Sequence, residues 1–203
     1  MKYQENEEKD QDRTDSVDLL YHNKRVYEQI IPFVAKRTVL EGGCGNGAGS
    51  FLLANTAHKV RATDKLKVNV DFAIENFKRE NLDYDIWDIG EAPYKEKYEV
   101  VVAMEVVEHV KKYHQAIQNL IGSALHDVWI STPNRDGLDK KWAPQQEFHV
   151  KEFIVQEMLE MIGEHEVEIY HWETFAKLLH IKTVKGQNIP SIKVHPLIYR
   201  VIL

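Results

Sequence analysis

Residues 39–49 read VLEGGCGNGAG: two apolar residues, an acid at Glu41, then glycine at five of the next eight positions. The segment entering this stretch, RTVLEGG, is predicted as a buried strand and the one leaving it, AGSFLLANTA, as a helix, so the glycines form the bend between them. Glycine accepts backbone angles that other residues avoid and lets neighbouring groups approach the main chain. A strand that ends in glycines and feeds a helix is a nucleotide cradle. The helix start offers N–H donors, and ligands of open α/β sheets lie at the carboxyl ends of the strands. What needs explaining is the carboxylate of Glu41 at the mouth of the turn.

Outward from the turn the same alternation continues. Upstream, SVDLLYHNKRVYEQIIPFVAK has apolar residues at helical spacing, with Asp15 or Ser16 as N-cap. Downstream, KVRATD is predicted as a strand, KVNVDFAIENFKRE as a helix, LDYDIWDI as a third strand and KYEVVVAME as a fourth, buried on both faces. A helix around YHQAIQNLIGSAL, the strand HDVWISTPN, a polar loop over 135–148 and a helix over VKEFIVQEMLEMI follow. HEVEIYHW and IKVHPLIYRVIL close the chain as two strands, read as an antiparallel pair at one edge. Strands alternating with helices imply βαβ units and a mainly parallel sheet.

The 203 residues suit one domain, expected over 16–203 after an acidic, flexible arm over 1–15. Of the net charge of −6, residues 1–18 carry −4, from seven acids against three bases. The last thirty residues hold no acid and five bases, Lys177, Lys182, Lys185, Lys193 and Arg200. That segment reads either as a solvated sheet edge or as a patch for a phosphorylated or polyanionic substrate. No apolar run is long enough for a membrane helix, MKYQENEEKD does not read as a secretory leader, and the single cysteine, Cys44, excludes an intrachain disulfide. These features predict a cytoplasmic location without membrane insertion. Oligomeric state is not legible.

Two cofactor classes use a turn of this kind. Gly43, Gly45 and Ala48 satisfy the G-x-G-x-x-G/A dinucleotide pattern, and Asp64 stands 19 residues after Gly45, where a ribose acid belongs. Glu41 decides between them. A carboxylate there repels a pyrophosphate and suits a cationic, phosphate-free ligand. The stretch resembles motif I, E/D-x-G-x-G-x-G, of class I S-adenosylmethionine-dependent methyltransferases, with Glu41, Gly43, Gly45 and Gly47 in register. Asp64 in ATD, Asp88 in IWDI, YEVVVAMEVVEHV and WISTPNR resemble later motifs of the family, over roughly residues 20–165.

The resemblance implies a Rossmann-like class I methyltransferase fold of the α/β class: a seven-stranded, mainly parallel sheet with an antiparallel C-terminal edge and helices on both faces. It implies S-adenosylmethionine as cofactor, with Glu41 toward its ammonium end, Gly43, Gly45 and Gly47 admitting it, Asp64 on the ribose and Asp88 on the adenine. Cys44, Lys65, Ile89 and Met104 are counted with the cofactor-binding set. The chain departs from family habit in having SALHDVWI where a PGG turn precedes the fifth strand, and in lacking a long substrate-binding insertion.

The methyl acceptor is read from the end of the fourth strand. Base-directed amino-methyltransferases carry an Asn/Asp-Pro-Pro-aromatic motif there; here the residues are Met104-Glu105-Val106-Val107. The lone cysteine sits in the turn, which excludes the usual C5-pyrimidine chemistry. In EVVEHV, Glu105, Glu108 and His109 fall at i, i+3 and i+4, which one helical turn would bring to one face. Two carboxylates and an imidazole can hold a divalent ion such as Mg²⁺ or Zn²⁺, which acidifies a bound hydroxyl. The segment is similar to ubiquinone-pathway O-methyltransferases, in which E-x-x-E-H is a metal site, and to small-RNA 2′-O-methyltransferases, which add a distant histidine. His149 is the candidate for that fourth ligand. E-x-x-E-H also occurs in metal-free members, and there His109 or His149 becomes the general base, with Glu105 beside them.

These readings predict O-methylation of a small molecule. The alternatives are a 2′-O-methyltransferase acting on RNA or another polyanion, and a subunit that binds S-adenosylmethionine without turning it over.

Overall fold

The structure is a computed structural model that describes residues 17–137, 149–182, 189–194 and 196–203. The expected acidic arm with the N-cap candidates Asp15 and Ser16, most of the 135–148 loop, and Lys185 lie outside the described residues. The chain divides into two compact units, Met1–Asp88 and Ile89–Leu203.

In the first unit, helix α1 (Val17–Val34) buries Val26, Tyr27, Ile30 and Val34, a stripe at helical spacing. Strands β1 (Thr38–Gly42), β2 (Lys59–Asp64) and β3 (Leu82–Ile86) run parallel in the order β3-β2-β1, joined by α2 (Ala48–Leu53) and α3 (Lys67–Asn76). The register sets Glu41 opposite Ala62 and Asp64 opposite Ile86, so both acids stand at strand ends on the same side of the sheet. Val39 and Leu40, and Val60 and Ala62, are buried, as expected for parallel strands between layers.

In the second unit, β4 (Tyr98–Met104) lies parallel to β5 (Ala124–Thr132), with α4 (Tyr113–Gly122) between them in sequence. Helix α5 (Val155–Ile162) leads to β6 (Glu166–His171), followed by β7 (Lys177–Ile181) and β8 (Leu197–Ile202). The strand order is β4-β5-β8-β6-β7. The two C-terminal strands expected from sequence, β6 and β8, do pair antiparallel. The last is not an edge strand, however: β8 lies between β5 and β6, antiparallel to both. Leu197, Ile198, Tyr199 and Val201 are all buried, and a strand apolar on both faces belongs inside a sheet. The edge is β7, formed within the segment expected as a connecting loop, so the described residues contain eight strands rather than seven. The architecture is α/β and Rossmann-like, mainly parallel with an antiparallel C-terminal region.

Candidate functional site

The glycine turn is built as a three-way junction. Gly43, Gly45 and Gly47 all have positive φ, at 76°, 54° and 89°. At Gly47 a Cβ would also stand 2.6 Å from the Cβ of Ala73, so this residue meets both demands of its place. Gly49 is required for a different reason: a Cβ there would lie 2.2 Å from Cζ of Tyr27, whose ring presses against the first turn of α2. The ring is held there by Glu41. Its carboxylate is fully buried and accepts the Tyr27 hydroxyl on Oε1 at 2.5 Å and the Ser50 hydroxyl on Oε2. The acid at the mouth of the turn thus ties α1, β1 and α2 together. Tyr27 and Ser50 escaped sequence reasoning because a tyrosine on a helix face and a serine in a short helix carry no pattern of their own.

Asp64 closes the junction from β2. Its Oδ2 accepts the N–H of Gly45 at 3.0 Å and its Oδ1 that of Leu66 at 2.9 Å. Cys44 continues the β1–β2 ladder through its N–H to the carbonyl of Thr63 at 2.8 Å. Burial raises the carboxyl of Glu41 above its ordinary range despite the two hydroxyl donors. Burial likewise raises Asp64 despite its backbone donors, and the thiol of Cys44 is pushed far up by burial and by the two acids. The floor of the turn therefore carries two acids whose ionised forms are disfavoured by burial. It would stabilise a cationic ligand and penalise a phosphate. Lys65 is exposed beside Asp64 and offsets a small part of that rise. Asp88 follows β3 at half-burial.

In the second unit, Ile89 is buried and its carbonyl accepts Nδ2 of Asn119 at 2.7 Å. Met104 ends β4, buried. The chain then does not form the α-helical turn expected for EVVEHV. Glu105 adopts a left-handed backbone, φ 56°, while its N–H still bonds to the carbonyl and hydroxyl of Ser131 on β5 at 3.1 and 3.0 Å. A single 3-10 turn, Val107–His109, follows. The last ladder bond holds Glu105 back on the sheet, so the i, i+3, i+4 face is not formed.

His149 replaces Glu105 in the cluster. Glu108, His109 and His149 each offer a ligand atom, and these atoms lie within 4.8 Å of one another. The two imidazoles meet edge to face with ring centroids 4.9 Å apart. The arrangement is fixed by the main chain: the carbonyl of Glu108 accepts the N–H of Val150 at 2.8 Å and of Lys151 at 3.3 Å. Oε2 of Glu108 accepts the Thr132 hydroxyl at 3.1 Å, while its Oε1, and Oε1 of Glu105, are buried and find no hydrogen-bond partner among the described residues. Burial raises both carboxyls, Glu105 to about 7, and Glu105 adds to the shift of Glu108. A buried acceptor left unsatisfied is costly, and one carboxylate with two imidazoles is a donor set that suits zinc. These residues fit a divalent ion by their chemistry.

The STPNR segment fastens the surroundings. Buried Asn134 donates through Nδ2 to the carbonyls of Ile192 and Val194 at 2.6 and 2.7 Å, and the N–H of Arg135 bonds to the carbonyl of Phe153 at 2.9 Å. Three bases of the C-terminal segment face carboxylates of their own unit. Arg200 pairs with Asp127 at 2.8 Å and Glu168 at 3.1 Å, Lys177 pairs with Glu168, and Lys193 lies 3.9 Å from Asp136. No helix among the described residues is long and apolar enough to cross a membrane.

A family model described as "Methyltransferase domain" matches residues 19–178. The ubiquinone biosynthesis O-methyltransferase of Rickettsia felis is 30% identical over 156 residues, which is 67% of this chain and 62% of that protein. A protein of Mycobacterium tuberculosis named "Probable S-adenosylmethionine-dependent methyltransferase" is 30% identical over 146 residues, 68% of this chain and 51% of its own length. The chain thus spans less than two thirds of these relatives. Among solved structures, the N-methyltransferase NodS of Bradyrhizobium japonicum, in complex with S-adenosyl-L-homocysteine, has a TM-score of 0.64 at 18% identity, covering 89% of this chain and 87% of that one. That likeness concerns the fold.

Proposed function

Because the chain belongs to the methyltransferase domain family, we propose that it transfers the methyl group of S-adenosylmethionine to an oxygen atom of a small molecule. The observation that carries this reading is the glycine turn with two buried acids, Glu41 and Asp64, on its floor. S-adenosylmethionine is cationic and lacks phosphate, so it satisfies that floor where NAD would not. In this reading Glu41, Gly43, Cys44, Gly45, Gly47, Asp64, Lys65, Asp88, Ile89 and Met104 bind the cofactor. Asp64 takes the ribose and Asp88 the adenine. Residues 16–203 act as one catalytic domain, and a lone buried thiol suits the cytoplasm.

The sulfonium is already activated, so the protein has to orient the acceptor and remove its proton. The carboxyl of Glu105, raised to about 7 by burial, exchanges protons near neutrality, and the imidazoles of His109 and His149 supply ring nitrogens that can accept a proton. Glu108, His109 and His149 would hold a divalent ion, which when bound lowers the pKa of a hydroxyl that it contacts. The name of the Rickettsia felis relative supports an oxygen acceptor. The RNA reading gains no support from the C-terminal bases, three of which face carboxylates.

The test is transfer of isotope-labelled methyl from S-adenosylmethionine to a panel of phenols, catechols, carboxylic acids, amines and short RNA. Label on the oxygen acceptors alone is expected. Label on amines or RNA would overturn the acceptor class. Binding of the cofactor with no transfer to any acceptor would favour a non-catalytic subunit.

A further inference from the structure

We propose that Glu152 is the positioning residue of His149, a role that rests on the reading of His149 as ligand or base. Oε1 of Glu152 lies 3.1 Å from Nδ1 of His149, and the side chains of the pair are only 17% and 11% exposed. A carboxylate can only accept, so the bond requires the proton on Nδ1. The ring is thereby held in the tautomer whose lone pair is on Nε2, the nitrogen that would meet a divalent ion or a substrate proton. Sequence reasoning named four residues here and missed this one, which stands three positions beyond the histidine with no motif around it.

The main chain explains why the pair is stable. Val150 and Lys151 are bonded to the carbonyl of Glu108, and Phe153 is fully buried with its ring against Tyr113 at 5.2 Å. His149 and Glu152 therefore flank residues that are pinned to the same turn as Glu108 and His109. Lys151, the nearest cation in sequence, is directed elsewhere, to Oε1 of Glu157 at 3.0 Å. The carboxylate of Glu152 meets the imidazole instead.

The test uses the full chain, wild type and the variants E152A, E152Q and H149A, with folding checked by circular dichroism. Nitrogen-15 NMR of the histidine rings reports the tautomer without metal, and titration with Co²⁺ reports the ligand field and affinity. In wild type the neutral ring of His149 is expected as Nδ1–H. E152A should shift it toward Nε2–H and weaken Co²⁺ by about 10- to 100-fold. E152Q, which can still accept at its amide oxygen, should keep the tautomer and lose less. A folded E152A with the wild-type tautomer and Co²⁺ affinity would overturn the positioning role while leaving the site reading intact. H149A binding Co²⁺ as wild type does would overturn the reading of the metal site and the functional half of this proposal with it.

Discussion

At the scale of single residues the molecule concentrates its cost in buried carboxylates. Tyr27 donates to Glu41 at 2.5 Å inside the first unit. Tyr27→Phe keeps the ring that Gly49 accommodates but removes that donor. It should cost about 1–3 kcal/mol, measured as a lower urea midpoint with an unchanged slope. Glu108 behaves in the opposite sense. Burial raises its carboxyl, so ionising it opposes folding. That cost is absent below the ordinary carboxylate range and grows as pH rises toward the folded-state value. Glu108→Gln should therefore melt higher than wild type at pH 8 in EDTA, by about 1–3 kcal/mol, with the gap closing toward pH 5, while divalent-ion binding is lost. A Gln variant that melts lower at pH 8 would contradict the account.

The residue scale also shows what could be read in advance. Glu41, Asp64 and the glycines announce themselves by spacing, because a turn between strand and helix constrains type at fixed intervals. The partners Tyr27, Ser50 and Glu152 do not, because their contacts depend on which helix face or loop returns to the site. His149 was legible only as a histidine next to a long loop, and its approach to His109 is set by backbone bonds that no local pattern encodes.

At the scale of elements, strand periodicity located the parallel strands well. KVRATD became Lys59–Asp64 without adjustment. Helix ends were less legible: α2 stops at Leu53 and α5 starts only at Val155. The local order at Glu105 was misjudged because helical spacing in EVVEHV competes with a ladder bond to Ser131, and the bond prevails. The C-terminal strands show the same competition between local and tertiary effects. Glu168 on β6 binds Tyr170, Lys177 on β7 and Arg200 on β8, crossing three strands. Burial alone would raise its carboxyl, but these donors hold it down, from 4.5 to about 2. Its contribution to stability is thus fully present above about pH 4.5 and is lost as pH falls through about 2. Glu168→Gln should destabilise the protein at pH 7 and flatten its acid-unfolding curve between those limits, as followed by tryptophan fluorescence. An unchanged curve would show that the network contributes no net stability.

At the scale of the whole molecule the α/β class was legible because strands and helices alternate along the chain, a pattern that admits few arrangements. The insertion of β8 between β5 and β6 was not, although its continuous apolar run carried the signal. The family follows from the match over residues 19–178, and the proposed chemistry rests on the acids under the glycine turn. The central claim is that this turn is built for a cationic, phosphate-free cofactor. It is tested most directly by calorimetric titration of the full chain with S-adenosylmethionine and with NAD, both in EDTA, using wild type and Asp64→Asn. The account predicts that wild type binds S-adenosylmethionine and not NAD, and that Asp64→Asn, which keeps an acceptor for the turn, folds but binds at least tenfold more weakly. NAD binding without S-adenosylmethionine binding would contradict it.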